Sequence, residues 1–134
     1  MTPSPAAGAL LLCIDLQPAF VNAMPGAALL LRRCALAIET AQGLGLPVAF
    51  TEQMPQKLGG TAPELLALVA RPVVWGKSAF SALADDGIRD ALRRRSVSQL
   101  IICVLETPVC IYQTALAAMS RPFLGDRGGV DVEE

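Results

Sequence analysis

The chain alternates short, fully apolar runs with longer stretches in which apolar and polar side chains recur at helical spacing. Residues 9–14 (ALLLCI) are apolar throughout and are followed by an acid, Asp15, a pattern typical of a parallel strand buried on both faces. Residues 27–44 place apolar side chains on one side and charged ones on the other, which predicts an amphipathic helix. We therefore expect Asp15 at the carboxyl end of the first strand.

Three further strands are predicted from apolar and β-branched runs. They lie at 47–52 (PVAFTE), 72–75 (PVVW) and 99–105 (QLIICVL), and the last gives the strongest strand signal in the chain. Strands that alternate with helices build parallel sheets through right-handed crossovers. The predicted fold class is therefore α/β, with a doubly wound parallel sheet and helices on both faces.

Capping signals predict two more helices. Thr61 and Glu64 form the pattern of a capping box, which would open a short helix. Asp85 and Asp86 precede a second helical pattern that runs to about residue 95. Both helices would connect strands that are consecutive in the chain.

The helical and strand patterns stop after residue 119. Residues 120–134 are rich in Gly and charge and contain no apolar run long enough for a full strand, so we expect an irregular tail. Residues 1–119 are predicted to form one domain, because a chain of 134 residues with 53% hydrophobic side chains can bury a single core.

Charge and hydropathy exclude several classes of partner. The formal net charge is −1, from 11 Lys plus Arg and 12 Asp plus Glu. No basic stripe neutralises phosphates, so we expect no nucleic-acid partner. The N-terminal apolar run is too short to span a bilayer and has no cleavage pattern, so we expect neither a signal peptide nor a membrane segment.

The chain contains no histidine, which removes the commonest general base and the commonest ligand of catalytic metals. We therefore expect no metal or other cofactor, and chemistry carried by carboxylates, lysine or thiols. Cys13, Cys34 and Cys103 lie in or beside apolar runs and are expected in the core. Because the cysteines lack C-x-x-C spacing, we expect a reducing, cytoplasmic location.

Three segments together carry the order and spacing of the motifs of one enzyme family. They are LLCIDLQPAF (11–20), WGKSAFSA (75–82) and LIICVLETPVC (100–110). Through them the chain resembles the isochorismatase-like cysteine hydrolases, from about residue 9 to residue 119. Within that stretch TEQMPQKLGGTAPEL (51–65) looks most like the branch of isochorismatase domain-containing proteins.

The resemblance implies a Rossmann-like sheet with its first and fourth strands side by side, so that the strand ends leading to Asp15 and Cys110 converge. Active members of the family use an Asp, a Lys and a Cys, and the matching positions are Asp15, Lys77 and Cys110. A thiol at a helix start beside an ammonium group has a lowered pKa, and Asp15 would accept its proton. The implied reaction is hydrolysis of a small amide or related carbonyl compound through an acyl-thioester on Cys110.

The same resemblance implies an oxyanion hole. Its donors would be the backbone N–H groups of Glu106 and Cys110, next to a cis peptide bond between Leu105 and Glu106. Polar and aromatic side chains that flank the motifs are weaker candidates for lining a substrate pocket. These candidates are Gln17, Phe20, Gln53 and Trp75.

Two alternatives remain open. One is a catalytically inactive member of the family that acts only in protein association. Similar proteins continue with further strand and helix units, so the resemblance implies that the C-terminal part of the family fold is missing here. Residues 99–105 would then form an exposed edge strand, from which we expect a homo-oligomer. The other alternative, a nicotinamidase-like metalloenzyme, would need histidine ligands, which the chain lacks.

Overall fold

A five-stranded parallel sheet forms the centre of the computed structural model, which describes residues 8–78, 81–105 and 130–133. The strands are β1 (Ala9–Ile14), β2 (Val48–Gln53), β3 (Val73–Lys77), β4 (Gln99–Val104) and β5 (Val130–Glu133). The helices are α1 (Pro18–Val21), α2 (Ala27–Gly43), α3 (Pro55–Leu58), α4 (Pro63–Leu66) and α5 (Asp86–Arg94), with a 3₁₀ helix at Ala82–Ala84.

The strand order is β3-β2-β1-β4-β5, and every neighbouring pair is parallel. Ile14 at the end of β1 is in register with Thr51 of β2 on one side and with Val104 of β4 on the other. The predicted α/β class and the predicted adjacency of the first and fourth strands are therefore confirmed. Parallel strands in register bring their carboxyl ends to the same edge of the sheet.

Two apolar clusters cover the faces of the sheet. One packs alternate residues of β1, β2 and β4 against the 3₁₀ helix and α5, and the other packs the intervening residues against α2 and α4. All six residues of β1 are buried. The continuous apolar pattern of residues 9–14 follows from this, because a strand covered on both faces has no side exposed to water.

Helix α4 does not begin as predicted. Its N-cap is Ala62, whose side chain makes no capping hydrogen bond, and Pro63 occupies the first turn, where its missing N–H costs nothing. Thr61 instead donates its backbone N–H and its hydroxyl to Glu52 Oε2, at 2.7 and 2.9 Å. The predicted capping box is therefore wrong, because a carboxylate nine residues away is the partner of Thr61.

The tail contains a strand that the sequence pattern did not predict. Val130–Glu133 forms β5, which lies parallel to β4 with Leu100 opposite Val130. The expectation of an irregular tail is wrong over these residues, and β4 is not the edge strand that we predicted. Four residues (VDVE) give too short a pattern for detection, and strand formation depends on an available neighbour more than on intrinsic propensity.

Among the residues that the structure describes, no helix combines the length and the apolar character needed to cross a membrane.

Candidate functional site

Asp15 and Lys77 meet at the carboxyl edge of the sheet. Asp15 follows β1 and Lys77 ends β3, and Lys77 Nζ lies 2.9 Å from Asp15 Oδ2 although 62 residues separate them in the chain. The two side chains are 0% and 9% exposed, for Lys77 and Asp15 respectively. The structure thus brings together two of the three residues that the motifs singled out, as a buried ion pair.

The strand between these two residues supplies further hydrogen bonds to the pair. Thr51 of β2 donates its hydroxyl to Asp15 Oδ1 at 2.9 Å, and Gln53 of β2 accepts a hydrogen bond from Lys77 Nζ on its Oε1 at 2.6 Å. Each oxygen of the Asp15 carboxylate therefore has its own donor. Thr51 was not among the predicted site residues, and its signal was that it is the first polar side chain after the apolar residues 48–50 of β2.

The Asp15 backbone is held in the left-handed region, with φ of +55°. Non-glycine residues rarely adopt this conformation, although Asp tolerates it better than most. The Asp15 N–H still donates to the Thr51 carbonyl at 3.1 Å, which continues the pairing with β2 for one residue beyond β1. Such conformations cluster at functional sites, where the surrounding contacts hold them in place.

Gln17, a candidate for the substrate pocket, is instead fully buried at 0% exposure. Its amide nitrogen donates to the carbonyls of Gln53 and Gly59, at 3.0 and 2.7 Å, and its amide oxygen accepts the Gln53 N–H at 2.7 Å. Gln17 therefore ties the segment after β1 to the end of β2. A role for Gln17 in lining a substrate pocket stays a prediction.

The two aromatic candidates lie on different elements. Trp75 of β3 is partly buried and packs against the apolar cluster on the α5 side of the sheet. Phe20 is partly buried on α1. A role for either side chain in lining a pocket stays a prediction.

Cys110 and Glu106 lie outside the described residues, as does the peptide bond that joins Leu105 to Glu106. The described part of the chain nevertheless includes β4, which leads toward them. β4 ends at Val104, in register with Ile14, the residue before Asp15. The carboxyl end of β4 thus lies beside the carboxyl end of β1, which Asp15 follows.

The other three cysteines are buried free thiols, as predicted. Cys103 of β4 and Cys34 of α2 contact each other, with 3.8 Å between their Sγ atoms. The hydrogen bond with Cys103, together with burial, raises the pKa of the Cys34 thiol well above its ordinary value. Cys34 is consequently held as an unreactive thiol.

An apolar groove lies away from this site. It has a volume of about 420 Å³ and lies between α2 and β4, and neither Asp15 nor Lys77 lines it. Its walls are mainly apolar and include Leu36 and Leu44, which are 65% and 64% exposed. A groove of this kind lacks the convergent polar groups that orient a small substrate.

Within the described residues, no group of three or more His, Cys, Asp or Glu side chains is placed to hold a metal ion. The site instead consists of a hydrogen-bonded chain of polar groups. The Lys77 ammonium donates to the Asp15 carboxylate and to the Gln53 amide oxygen, and the Thr51 hydroxyl donates to the same carboxylate. This arrangement can hold a carboxylate in one orientation, which a general base requires.

Comparison with known proteins points to one family. The family model of the isochorismatase domain matches residues 9–123. The isochorismatase domain-containing protein 2A of Mus musculus is 36% identical over 118 residues, which is 87% of this chain and 55% of that protein. The isochorismatase domain-containing protein 1 of Salmo salar is 32% identical over 111 residues, covering 83% of this chain and 39% of that protein.

Solved structures share the fold. The MAR1 ribonuclease from Caenorhabditis elegans superposes with a TM-score of 0.76 at 27% identity, covering 92% of this chain and 61% of that one. The ycaC gene product of Escherichia coli, an octameric hydrolase of unknown specificity, gives a TM-score of 0.80 at 20% identity, covering 98% and 66%. This chain spans about half the length of the Mus musculus relative. Because the domain match covers most of the sequence, the chain belongs to the isochorismatase family.

Proposed function

We propose that this protein is a metal-independent cysteine hydrolase that cleaves a small amide or related carbonyl compound through an acyl-thioester on Cys110. The observation that carries the proposal is the buried pair of Asp15 and Lys77, 2.9 Å apart at the carboxyl edge of the sheet. Removing two charges from water is costly, and hydrophobic replacements often stabilise a protein as well as a buried ion pair does. A buried pair at a ligand-binding edge is therefore better explained by chemistry than by stability.

In the proposed reaction Asp15 accepts the proton of the Cys110 thiol, and the sulfur attacks the carbonyl carbon of the substrate. The tetrahedral intermediate collapses with loss of the amine, which takes the proton back from Asp15. A water molecule, deprotonated by Asp15, then hydrolyses the thioester and releases a carboxylic acid and the free thiol. Lys77 holds the Asp15 carboxylate in place between these steps, and the N–H groups of Glu106 and Cys110 would stabilise the oxyanion.

The chain's charge and cysteines support the same proposal. A net charge of −1 without a basic stripe suits a small substrate better than nucleic acid. The buried free thiols at Cys13, Cys34 and Cys103 are compatible with a reducing cytoplasm. No described residue is required to bind a metal or other cofactor in this mechanism.

The second candidate is an inactive family member that acts only in association, and the apolar groove of α2 offers a surface for such association. Leu36 and Leu44 expose most of their side chains on one side of the helix, and contact with a second copy of the chain would remove that surface from water. The octameric assembly of the ycaC gene product supports a homo-oligomer in this fold. Association of this kind is compatible with either function.

Selective alkylation distinguishes the two candidates. Iodoacetamide at neutral pH should label Cys110 in a fast phase, whereas Cys13, Cys34 and Cys103 should react only after unfolding, because they are buried. Cys110→Ser should abolish the fast phase, and Cys13→Ser is the matched control that should keep it. Peptide mapping by mass spectrometry identifies the labelled residue. Slow, equal labelling of all four cysteines in the folded protein would favour the inactive family member.

The reaction type is tested by trapping the acyl-enzyme. Incubation with a panel of small amides, followed by rapid acid quenching and intact-mass spectrometry, should show an acyl adduct that maps to Cys110. The Cys110→Ser variant is the control for adducts formed elsewhere. If Cys110 is alkylated in a fast phase but no acyl adduct forms, the assignment of Cys110 as a reactive thiol stands. Amides of the tested kind are then rejected as substrates.

A further inference from the structure

We propose that β2 contains the two positioning residues of the site, with Thr51 fixing the Asp15 carboxylate and Gln53 fixing the Lys77 ammonium. This inference rests on the proposed function, because it assigns these side chains a task in preparing the nucleophile. Neither of them would touch the substrate. Their task would be to hold the base and its counter-charge in one geometry.

The need for such residues follows from the strand order. β1 and β3 both pair with β2 and not with each other. The backbones of Asp15 and Lys77 are therefore separated by about two strand spacings, or about 9.6 Å. Lys77 must extend its long and flexible side chain across β2 to reach the carboxylate. If Asp15 were the only acceptor for the Lys77 ammonium, the lysine side chain could adopt several conformations, and the pair would lose the fixed geometry that catalysis requires.

Thr51 and Gln53 lie where they can guide that side chain. They are two residues apart on one strand, so their side chains leave the same face of the sheet. Gln53 is in register with Lys77, and Thr51 is in register with the residue before Asp15. Gln53 accepts the ammonium hydrogen bond at 2.6 Å, and Thr51 donates to the carboxylate at 2.9 Å. Together they span the distance between the two ends of the ion pair.

The carboxylate orientation is determined by the pair of donors. Thr51 binds Asp15 Oδ1 and Lys77 binds Oδ2, so rotation of the carboxylate group would break both hydrogen bonds. Thr51 itself is fully buried, and its hydroxyl therefore has no water with which to exchange. Loss of the Thr51 donor would remove the hydrogen bond that orients Asp15 Oδ1.

The orientation of the Gln53 amide is determined in the same way. Its nitrogen donates to the Ser78 carbonyl at 3.0 Å, which turns its oxygen toward Lys77. A flipped amide would place an NH₂ group against the ammonium and a carbonyl against a carbonyl, so both contacts would become repulsive. Gln17 binds the Gln53 backbone on both its N–H and its carbonyl. The Ser78 carbonyl thus fixes the Gln53 side chain, and Gln17 fixes the Gln53 backbone.

The chain offers a matched control for Thr51. On the opposite face of β2, Thr61 donates its hydroxyl to the Glu52 carboxylate, also at 2.9 Å, and Thr61 is also buried. Thr51→Val and Thr61→Val therefore each remove one hydroxyl donor from one carboxylate at equal distance. Only the first removes it from the site.

The experiment measures the rate of Cys110 alkylation by iodoacetamide as a function of pH in the full chain. In Thr51→Val, the acid side of the profile should move to higher pH by about one unit, because the ionised state of the site loses a charge-assisted hydrogen bond. Thr51→Ser should restore the wild-type profile, since it keeps the hydroxyl. Thr61→Val should leave the profile unchanged even if it lowers the melting temperature.

The Lys77 side of the proposal is tested with Gln53→Met, which keeps the length of the side chain and removes the acceptor. It should also move the acid side of the profile to higher pH, because the ammonium is no longer held against the carboxylate. This variant carries the test if Thr51→Val does not fold, as judged by circular dichroism. Thr51→Ser and Thr61→Val remain its controls.

The outcomes separate this inference from the proposed function. A fast phase at Cys110 in the wild type, with profiles that coincide for Thr51→Val and Thr61→Val, would reject the positioning role and leave the cysteine hydrolase intact. The absence of a fast phase in the wild type would reject both. A shift in Thr51→Val that Thr51→Ser does not restore would assign the effect to packing and would also reject the positioning role.

Discussion

Replacing Lys77 by Met should destabilise the protein far more than a surface charge replacement does. Met has nearly the length of Lys and keeps an unbranched stem, so the substitution removes the ammonium while leaving little empty space. Asp15 then retains the Thr51 hydrogen bond at 2.9 Å but loses its counter-charge at 2.9 Å. The expected result is a buried carboxylate without charge compensation.

The magnitude follows from burial. With side chains 0% and 9% exposed, solvent screens the pair very little, and removing one partner of a buried ion pair costs about 3–5 kcal/mol. For a domain of this size that corresponds to a fall of roughly 10–20 °C in melting temperature. The exposed pair of Arg93 and Asp90, with side chains 51% and 55% exposed, is the contrast, because such pairs contribute about 0–1 kcal/mol.

Urea denaturation followed by circular dichroism measures these differences in the free energy of unfolding. Four variants are compared with the wild type: Lys77→Met, Asp15→Asn, the double variant, and Arg93→Met as the surface control. Each single site variant removes one partner of the buried ion pair, so each should be strongly destabilised. The double variant removes both partners, so its loss should be well below the sum of the two.

Two results would refute this reasoning. A loss below about 1 kcal/mol in Lys77→Met would mean that the pair behaves as a surface pair. Simple additivity in the double variant would mean that Asp15 and Lys77 do not interact in solution as they do in the structure.

Four further predictions follow from the site and its surroundings. Asp15→Asn and Cys110→Ser should each lower hydrolysis of a responsive amide by orders of magnitude, measured at a temperature at which circular dichroism shows the variant to be folded, and activity that survives either change would remove that residue from the mechanism. Lys77→Ala should raise the pH at which Cys110 is alkylated, since a neighbouring positive charge is lost, and an unchanged midpoint would remove Lys77 from the site. Because the pKa of Cys34 is raised in the folded state, unfolding lets this thiol ionise near its ordinary value of 9.0, so the unfolding free energy should fall as pH rises above about 9, and less so in Cys34→Ala. Light scattering at micromolar concentration should show an oligomer that Leu36→Glu dissociates, and a monodisperse wild-type monomer would contradict the proposed association.

Local pattern determined much of the architecture. The apolar run at residues 9–14 predicted β1 with its observed bounds, because a strand buried on both faces has no polar alternation. Asp85 caps α5 as predicted, accepting the Ile88 N–H on its side chain at 3.0 Å, because capping needs only a partner three residues away. Spacing along the chain was sufficient wherever the decisive contact was local.

The candidate site was only partly predictable for the same reason. Asp15 and Lys77 could be placed at one edge because parallel strands share their carboxyl ends, and the motifs supplied their identities. Their burial, and the donor from Thr51, depend on contacts across 36 to 62 residues. No local spacing encodes which polar side chain of β2 will face its neighbours.

Tertiary structure alone decided the remaining features. Thr61 carries a capping pattern, in which its hydroxyl would accept a backbone N–H. The hydroxyl instead donates to the Glu52 carboxylate, because the fold brings this charged acceptor within reach. Val130–Glu133 is too short to be predicted as a strand from its sequence. It forms one because β4 presents unpaired backbone groups beside it. The sequence by itself determined which segments are strands or helices wherever burial is continuous or periodic. The three-dimensional arrangement decided which polar groups pair, because a hydrogen bond depends on proximity in space and not on order in the chain.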